Sequence, residues 1–505
     1  MKFPFEQVES RLREFQERRY MYSRIEPLDA IRIAPEPLEN PLDFSEKKGP
    51  WRDFHAGDAW PEIDSYFWLH IPVQIPRDFP GDPRDLLIRL SKDYTLNTPE
   101  GLVFINGAAC RGIDRMHHAV RLCEFSSRPK NLQIAVRVYS GSSLDDFRPA
   151  AVRPAHLEEC ALAALHEPAR DFYHLAKSLY GALSAMPGDS WIRARLLDLL
   201  VEAFNRIDYR YPRSEAFYAS IQNALRFVKT EIKKIPAHPR PETVTCVGHS
   251  HIDLAWLWPL QRTREKAIHT FSTALDLMRR FPEHRFFQSQ AQLYDFVKND
   301  QPQLFRKIKE RIQQGQWEAD GGMWVEADCN LPSGESLVRQ FLYGRRFFEE
   351  ELGVSPKILW LPDVFGYSWA LPQILRQAEI DYFVTSKISW NQYNQMPHDL
   401  FRWRGVDGSE ILTYFITVPC NQWFYTYNGL MEPKEIQGTW ENFKPKSLHN
   451  EVLLTYGYGD GGGGPTEEML LTARSLHNVP GFPKTKIGRV DEFLKRLAKV
   501  QNKAP

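Results

Sequence analysis

Thr243-Val244-Thr245-Cys246-Val247-Gly248-His249-Ser250-His251-Ile252-Asp253-Leu254-Ala255-Trp256-Leu257-Trp258 is the stretch from which the rest of the chain is read. It opens as a short apolar strand and breaks into His249, Ser250, His251, Ile252 and Asp253. Side chains two apart in an extended chain point the same way. His251 and Asp253 therefore present an imidazole and a carboxylate to one point, with His249 as a candidate third group. Such donors suit a divalent ion of the zinc type. Trp256 and Trp258 follow at once, and flat apolar rings beside a polar cluster suit a sugar. The competing reading is a strand end whose polar residues hydrogen-bond one another.

Beyond this stretch, strand-like and helical runs alternate. Strand 243–248 is followed by helix 262–280, and strand 285–289 by helices 291–298 and 302–314. A strand near 316–319, helix 334–351, strand 357–361 and helix 370–377 come next. Strands near 381–385 and 410–415 precede strand 451–456 and helix 465–476. A strand near 484–488 and a helix over 490–500 close the series. Alternation of this kind predicts a parallel α/β sheet, open or closed as a barrel. Neither GxGxxG nor a phosphate-binding loop is present.

The preceding residues read differently. Phe5, Val8, Leu12 and Phe15 mark an amphipathic helix within residues 1–27. Residues 28–152 hold short strand-like runs with frequent prolines and an Asn106-Gly107 turn, which predicts a β-sandwich of jelly-roll type. Residues 153–240 carry apolar positions at helical spacing, with Ser190 as an N-cap, and read as a helical linker. The prolines at 236, 239 and 241 set a boundary before the region 241–505.

At 505 residues, a chain of about two or three domains is expected. Lys plus Arg and Asp plus Glu both number 64, so the balanced charge offers no footprint for nucleic acid or an anionic membrane. The six cysteines are scattered without a CxxC pair, which fits reduced thiols and a cytoplasmic location. The opening MKFPFEQVESRLREF carries charges where a signal peptide needs an apolar core. No apolar run approaches the ~18 residues of a membrane span.

Active residues of parallel α/β folds gather where strands end. Strand 357–361 runs into Asp363 and Phe365, strand 381–385 into Lys387, and strand 451–456 into Asp460 and four glycines. Each has a plain alternative: Asp363 as a helix cap, Lys387 as a solvated charge, Asp460 as loop chemistry. Glu326 and Asp328 read as loop carboxylates.

The motifs HSHIDLAWLW (249–258), WLPDVFGYSWALPQIL (360–375), SKISWN (386–391) and YGYGDGGGGPT (456–466) resemble the α-mannosidases of glycoside hydrolase family 38, cytosolic/vacuolar type. GIDRMHH at 112–118 also fits that type. The resemblance implies a zinc-dependent retaining exo-glycosidase, with cobalt as a substitute, that releases terminal α-mannose from oligosaccharides. It implies a seven-stranded β/α barrel over 241–505. On it, His251, Asp253 and Asp363 match zinc ligands, and Asp363 is also the nucleophile. Asp460 matches the acid/base, and Trp256, Phe365 and Lys387 line the sugar subsite. The family's fourth ligand, a later histidine, has no counterpart at a matching motif; His449 and His477 follow residue 400 without one. The expectation is the front part of a longer enzyme, completed by a complementary C-terminal half or by a homo-oligomer. A non-catalytic sugar-binding remnant is a competing reading. A zinc-dependent sugar deacetylase is another, against which stands the lack of an HxxxH pair.

Overall fold

The computed structural model describes residues 2–38, 41–42, 50–80, 83–92, 98–122, 131–142, 154–236, 242–421 and 423–505. The boundaries read at 152–153 and 240–241, and Cys123, lie outside the described residues. The fold is mixed α and β, with several sheets.

Helix Lys2–Glu17 buries Val8, Leu12 and Phe15. Phe15 stacks on Tyr173 at 6.0 Å, so this helix docks on the helical segment 167–231 rather than standing alone. Strand Tyr22–Pro27 follows and pairs antiparallel with Glu159–Leu165. Both strands lie outside the 28–152 span in which sheet structure was expected. With Arg84–Arg89 and Ala119–Arg121 they make a four-stranded antiparallel sheet. A six-stranded antiparallel sheet shares one apolar core with it: Leu69, Ile71 and Val136 meet Leu86, Ile88 and Leu162.

Three helices then pack against the second half of the chain: Glu167–Ala185, Trp191–Asn205 and Glu215–Glu231. The second starts where the Ser190 hydroxyl accepts from the Arg193 N–H, the cap its sequence called for. Their apolar faces join Val244, Cys246 and Val247 in one large core.

Strand Thr243–His249 is buried beyond its first residue, which explains its continuous apolar reading. It lies parallel to Glu451–Tyr456 on one side. On the other lie Phe286–Gln288 near its C-terminal end and Lys484–Ile487 near its start. Gly248 is required there: a Cβ would stand 2.5 Å from His284 Cε1. Trp317–Ala319 extends this sheet past Phe286–Gln288. A second sheet holds Ile358–Leu361, Tyr382–Thr385 and Glu410–Phe415 in parallel, with Leu400–Arg404 antiparallel at its edge.

Among the described residues the strand ladders do not close into a barrel. The strand ladders stop at two seams, and a side chain spans each. At one, the Asp320 carboxylate accepts from the backbone N–H of Lys357 (3.1 Å) and Ile358 (3.1 Å). At the other, the Tyr414 hydroxyl accepts from the N–H of Leu453 at 3.0 Å. No helix among the described residues is long and apolar enough to cross a membrane.

Candidate active site

The parallel strands end on one side of their sheets, and the polar residues read from sequence follow those ends. His251 and Asp253 come after Thr243–His249, Asp363 after Ile358–Leu361, Lys387 after Tyr382–Thr385, and Asp460 after Glu451–Tyr456.

His251 sits at the middle and is 4 % exposed. Its Nδ1 meets Glu326 Oε2 at 2.7 Å, and its Nε2 meets Asp253 Oδ1 at 3.3 Å and Asp363 Oδ2 at 3.7 Å. Burial alone would lower the imidazole's pKa, but the Glu326 and Asp253 carboxylates outweigh it and hold the ring well above the ordinary histidine value. Lys387 Nζ lies 2.6 Å from the other Asp363 oxygen, Oδ1. Asp460 accepts from the Tyr427 hydroxyl at 3.0 Å and from Asn428 Nδ2 at 3.5 Å. Its carboxyl is pushed up by burial and by Asp253 and Asp363, with His251 pulling the other way. Tyr427 interacts with both Asp460 and Asp363; burial and those two carboxylates hold its phenol well above its ordinary value.

His251, Asp253 and Asp460 each bring one ligand atom within 4.8 Å of the others. The donor set fits a divalent cation. Glu326 occupies Nδ1 and leaves Nε2 among carboxylates, the arrangement in which an outer carboxylate orients a metal-binding imidazole.

The sequence pattern of the glycosyl hydrolases family 38 N-terminal domain matches residues 241–505. The chain belongs to this family. Among family 38 relatives, alpha-mannosidase G of Dictyostelium discoideum is 31 % identical over 486 residues, covering 93 % of this chain and 42 % of that protein. Human alpha-mannosidase 2C1 is 34 % identical over 460 residues, 88 % of this chain and 42 % of its own length. The alpha-mannosidase of Saccharomyces cerevisiae is 38 % identical over 361 residues, 69 % of this chain and 32 % of that one. A solved alpha-mannosidase from Enterococcus faecalis superposes with a TM-score of 0.42 at 20 % identity, covering 51 % of this chain and 29 % of that one. The chain thus spans less than half the length of the curated relatives it matches.

Around the polar centre of this family 38 chain, Trp256 and Phe365 stand 45 % and 73 % exposed. Lys387 Nζ lies 5.4 Å from the Phe365 ring and 4.0 Å from that of Trp390. Trp258 is buried and meets Trp256 edge to face at 5.9 Å.

His249 does not join the cluster as a third ligand. Its Nδ1 donates to the Phe287 carbonyl at 3.0 Å and its Nε2 accepts from the Trp360 indole at 3.3 Å. Burial pushes its pKa down to about 3, so the ring is a neutral part of the core. His449 and His477 lie near the opposite ends of the strands. His449 is 4.0 Å from Glu451, the first residue of its strand, and His477 Nδ1 meets the Thr485 carbonyl at 2.8 Å.

Two groups escaped the sequence reading. Glu326 is not a loose loop carboxylate: besides His251 it accepts from the Ser289 hydroxyl at 2.5 Å. Tyr427 follows a strand of only two residues, Tyr425–Thr426, which leaves no periodicity to read. Asp328 does behave as a loop carboxylate, accepting from the N–H groups of Asn330 and Leu331.

Proposed function

We propose that this chain carries the catalytic centre of a retaining α-mannosidase acting on terminal, non-reducing α-mannose of oligosaccharides. One observation carries the reading. Two carboxyls in unlike surroundings, Asp363 on Lys387 and Asp460 buried against Tyr427, flank a His–Asp donor set at the strand ends.

The division of labour follows from those surroundings. Lys387 forms an ion pair with Asp363 at 2.6 Å, a partner that suits a carboxylate acting as nucleophile. Burial favours the protonated form of Asp460, which suits an acid. In the first step an Asp363 oxygen bonds to the anomeric carbon as the glycosidic C–O bond breaks. The Asp460 proton passes to the departing oxygen. In the second, water adds to the anomeric carbon, its proton returns to Asp460, and the Asp363 ester bond breaks. A retaining pair stands ~5–5.5 Å apart, and the Tyr427 hydroxyl, which interacts with both carboxyls, spaces them.

We assign His251, Asp253 and Asp363 to hold zinc, with cobalt as a substitute. Asp363 Oδ2 faces His251 while Lys387 occupies Oδ1, and Tyr427 and Asn428 engage Asp460. When bound, the ion supplies Lewis-acid positioning of sugar hydroxyls. Trp256, Phe365 and Lys387 form the surface on which the terminal sugar rests. We read the two antiparallel sheets as a β-sandwich. The two mainly parallel ones are the parts of a single β/α barrel, its seams spanned by Asp320 and Tyr414. The free, scattered cysteines among the described residues accord with a cytoplasmic enzyme.

The test is hydrolysis of an aryl α-mannoside by the zinc-loaded protein and by Asp363→Ala. Turnover that survives the substitution overturns the reading.

A further inference from the structure

The loop that carries Asp460 is a poor candidate to hold its own shape. Asp460 itself has φ +55°, and Gly457, Gly461, Gly463 and Gly464 have φ of +136°, +96°, +93° and +79°. A non-glycine residue in that region is strained, and glycines pay the largest ordering entropy. Tyr458 and Gly464 close the loop with backbone hydrogen bonds at 3.0 and 2.9 Å, and within the tip the Gly462 N–H donates to the Gly459 carbonyl at 2.8 Å and the Gly461 N–H to the His251 carbonyl at 3.4 Å. Tyr427 and Asn428 hold the Asp460 carboxyl itself, so what the loop still needs from outside is a constraint on the glycine backbone that carries it.

The N-terminal sheets supply it. The turn between strands Ala108–Ile113 and Ala119–Arg121 carries Asp114 and His117, from the GIDRMHH motif. His117 is buried. Its Nδ1 lies 2.9 Å from both Asp114 oxygens, and its Nε2 donates to the Pro465 carbonyl, just past the glycines, at 2.8 Å. Asp114 in turn accepts from the N–H of Met116 (2.7 Å) and of His117 (2.9 Å). The pair fills the space beside Gly463, where a Cβ would stand 2.2 Å from Asp114 Oδ2. A second contact reaches the same loop. Glu100 of the N-terminal sheets accepts from Lys266 at 2.7 Å, and Lys266 and Trp258 pack on Gly461.

We propose that Asp114 and His117 are positioning residues that clamp the glycine loop so that Asp460 is aimed at the bond to be cleaved. The N-terminal sheets are then part of the catalytic apparatus without touching substrate. This rests on the reading of Asp460 as the acid, and the experiment separates the two.

A clamp on the acid has a signature that plain structural support lacks. Dinitrophenolate departs without a proton, whereas a phenol with a pKa near 10 needs one. In the 505-residue chain, His117→Gln and Gly463→Ala are compared with wild type on both aryl α-mannosides; Gly463→Ala drives a methyl group into Asp114 from the loop side. We expect kcat/KM to fall at least ~10-fold for the poor leaving group and less than ~3-fold for the dinitrophenyl one, since acid catalysis is worth ~10²–10⁴-fold. Amide exchange over 458–464 should quicken in His117→Gln while the strand 451–456 keeps its protection. Equal losses on both substrates, or unchanged exchange in the loop, overturn the proposal. Asp460→Ala is the control. If it shows no leaving-group selectivity, the acid assignment itself fails. If it does and neither clamp variant follows, only the clamp fails. Should His117→Gln not fold, as judged by its thermal transition, Gly463→Ala decides.

Discussion

Replacing Glu326 should weaken the proposed metal site without removing any of its assigned ligands. The carboxylate holds His251 by a 2.7 Å contact to Nδ1 and is itself held by Ser289 at 2.5 Å, with the imidazole buried. Glu326→Gln keeps the volume and one acceptor but loses the charge. A charge-assisted hydrogen bond is worth ~1.5–3 kcal/mol and a neutral one ~0.5–1.5. The difference, about 1.5 kcal/mol, is about tenfold in the zinc dissociation constant. Glu326→Ala leaves the ring N–H and the Ser289 hydroxyl unpaired, which costs ~3 kcal/mol or about 100-fold. Proton competition works in the opposite direction. The same carboxylate favours the protonated ring, so wild type pays most to shed that proton at low pH. The deficit of both variants should therefore widen as pH rises. Competition with a chromogenic chelator at two pH values measures it, with circular dichroism checking the fold. Wild-type affinity in Glu326→Gln at both pH values would refute the reasoning, as would a larger loss in Gln than in Ala.

Two further outcomes test the scaffold. Asp320→Ala removes the acceptor for the N–H groups of Gly321, Lys357 and Ile358 at the seam between the sheets. At ~1–3 kcal/mol for each donor left unpaired, less what entering water recovers, the urea midpoint should report a loss of about 4 kcal/mol. A loss under ~1 kcal/mol would show that this carboxylate does not hold the seam. His284 is buried with its pKa pushed down to about 3. A group depressed on folding stabilises above its unfolded pKa, ~6.5 for histidine, and loses that contribution as pH falls toward the folded value. His284→Gln abolishes the effect. Its deficit against wild type should therefore shrink by about 2 kcal/mol between pH 7.5 and pH 5, at ~1.4 kcal/mol per pH unit below 6.5. A deficit that does not change with pH would contradict this.

How far the sequence could be read depended on the range of the forces involved. Strands such as Thr243–His249 and Glu451–Tyr456 were legible because each is buried over nearly all its length and so reads as a mainly apolar run. Strand Leu400–Arg404 escaped: at the sheet's edge its burial alternates, and its Arg402 and Arg404 reach out to Glu410. The helix Pro433–Asn442 carried a capping box, Glu432 with Glu435, that local reading passed over. The open seams could not be read at all, because Asp320 and Tyr414 act between strands that no pattern in either strand connects.

The same limit runs through the site, and His249 and His251 show where it falls. Spacing by two places both rings and Asp253 on one face, as long as the chain stays extended in its ladder. His249 is still the last residue of the strand, paired beside Phe287, so its ring is caught in the core between the Phe287 carbonyl and Trp360. His251 lies beyond the ladder, where the backbone is free to turn the ring toward carboxylates from other strands. What gathers round it then comes from afar: Glu326 is 75 residues on, in a segment without strand or helix. A periodic rule thus places a side chain in the cluster only past the last hydrogen bond of its strand. Leaving the ladder is not sufficient, however: an imidazole placed at Ser250, one residue past the strand but fully buried and bonded to the Tyr458 carbonyl, would not enter the cluster either.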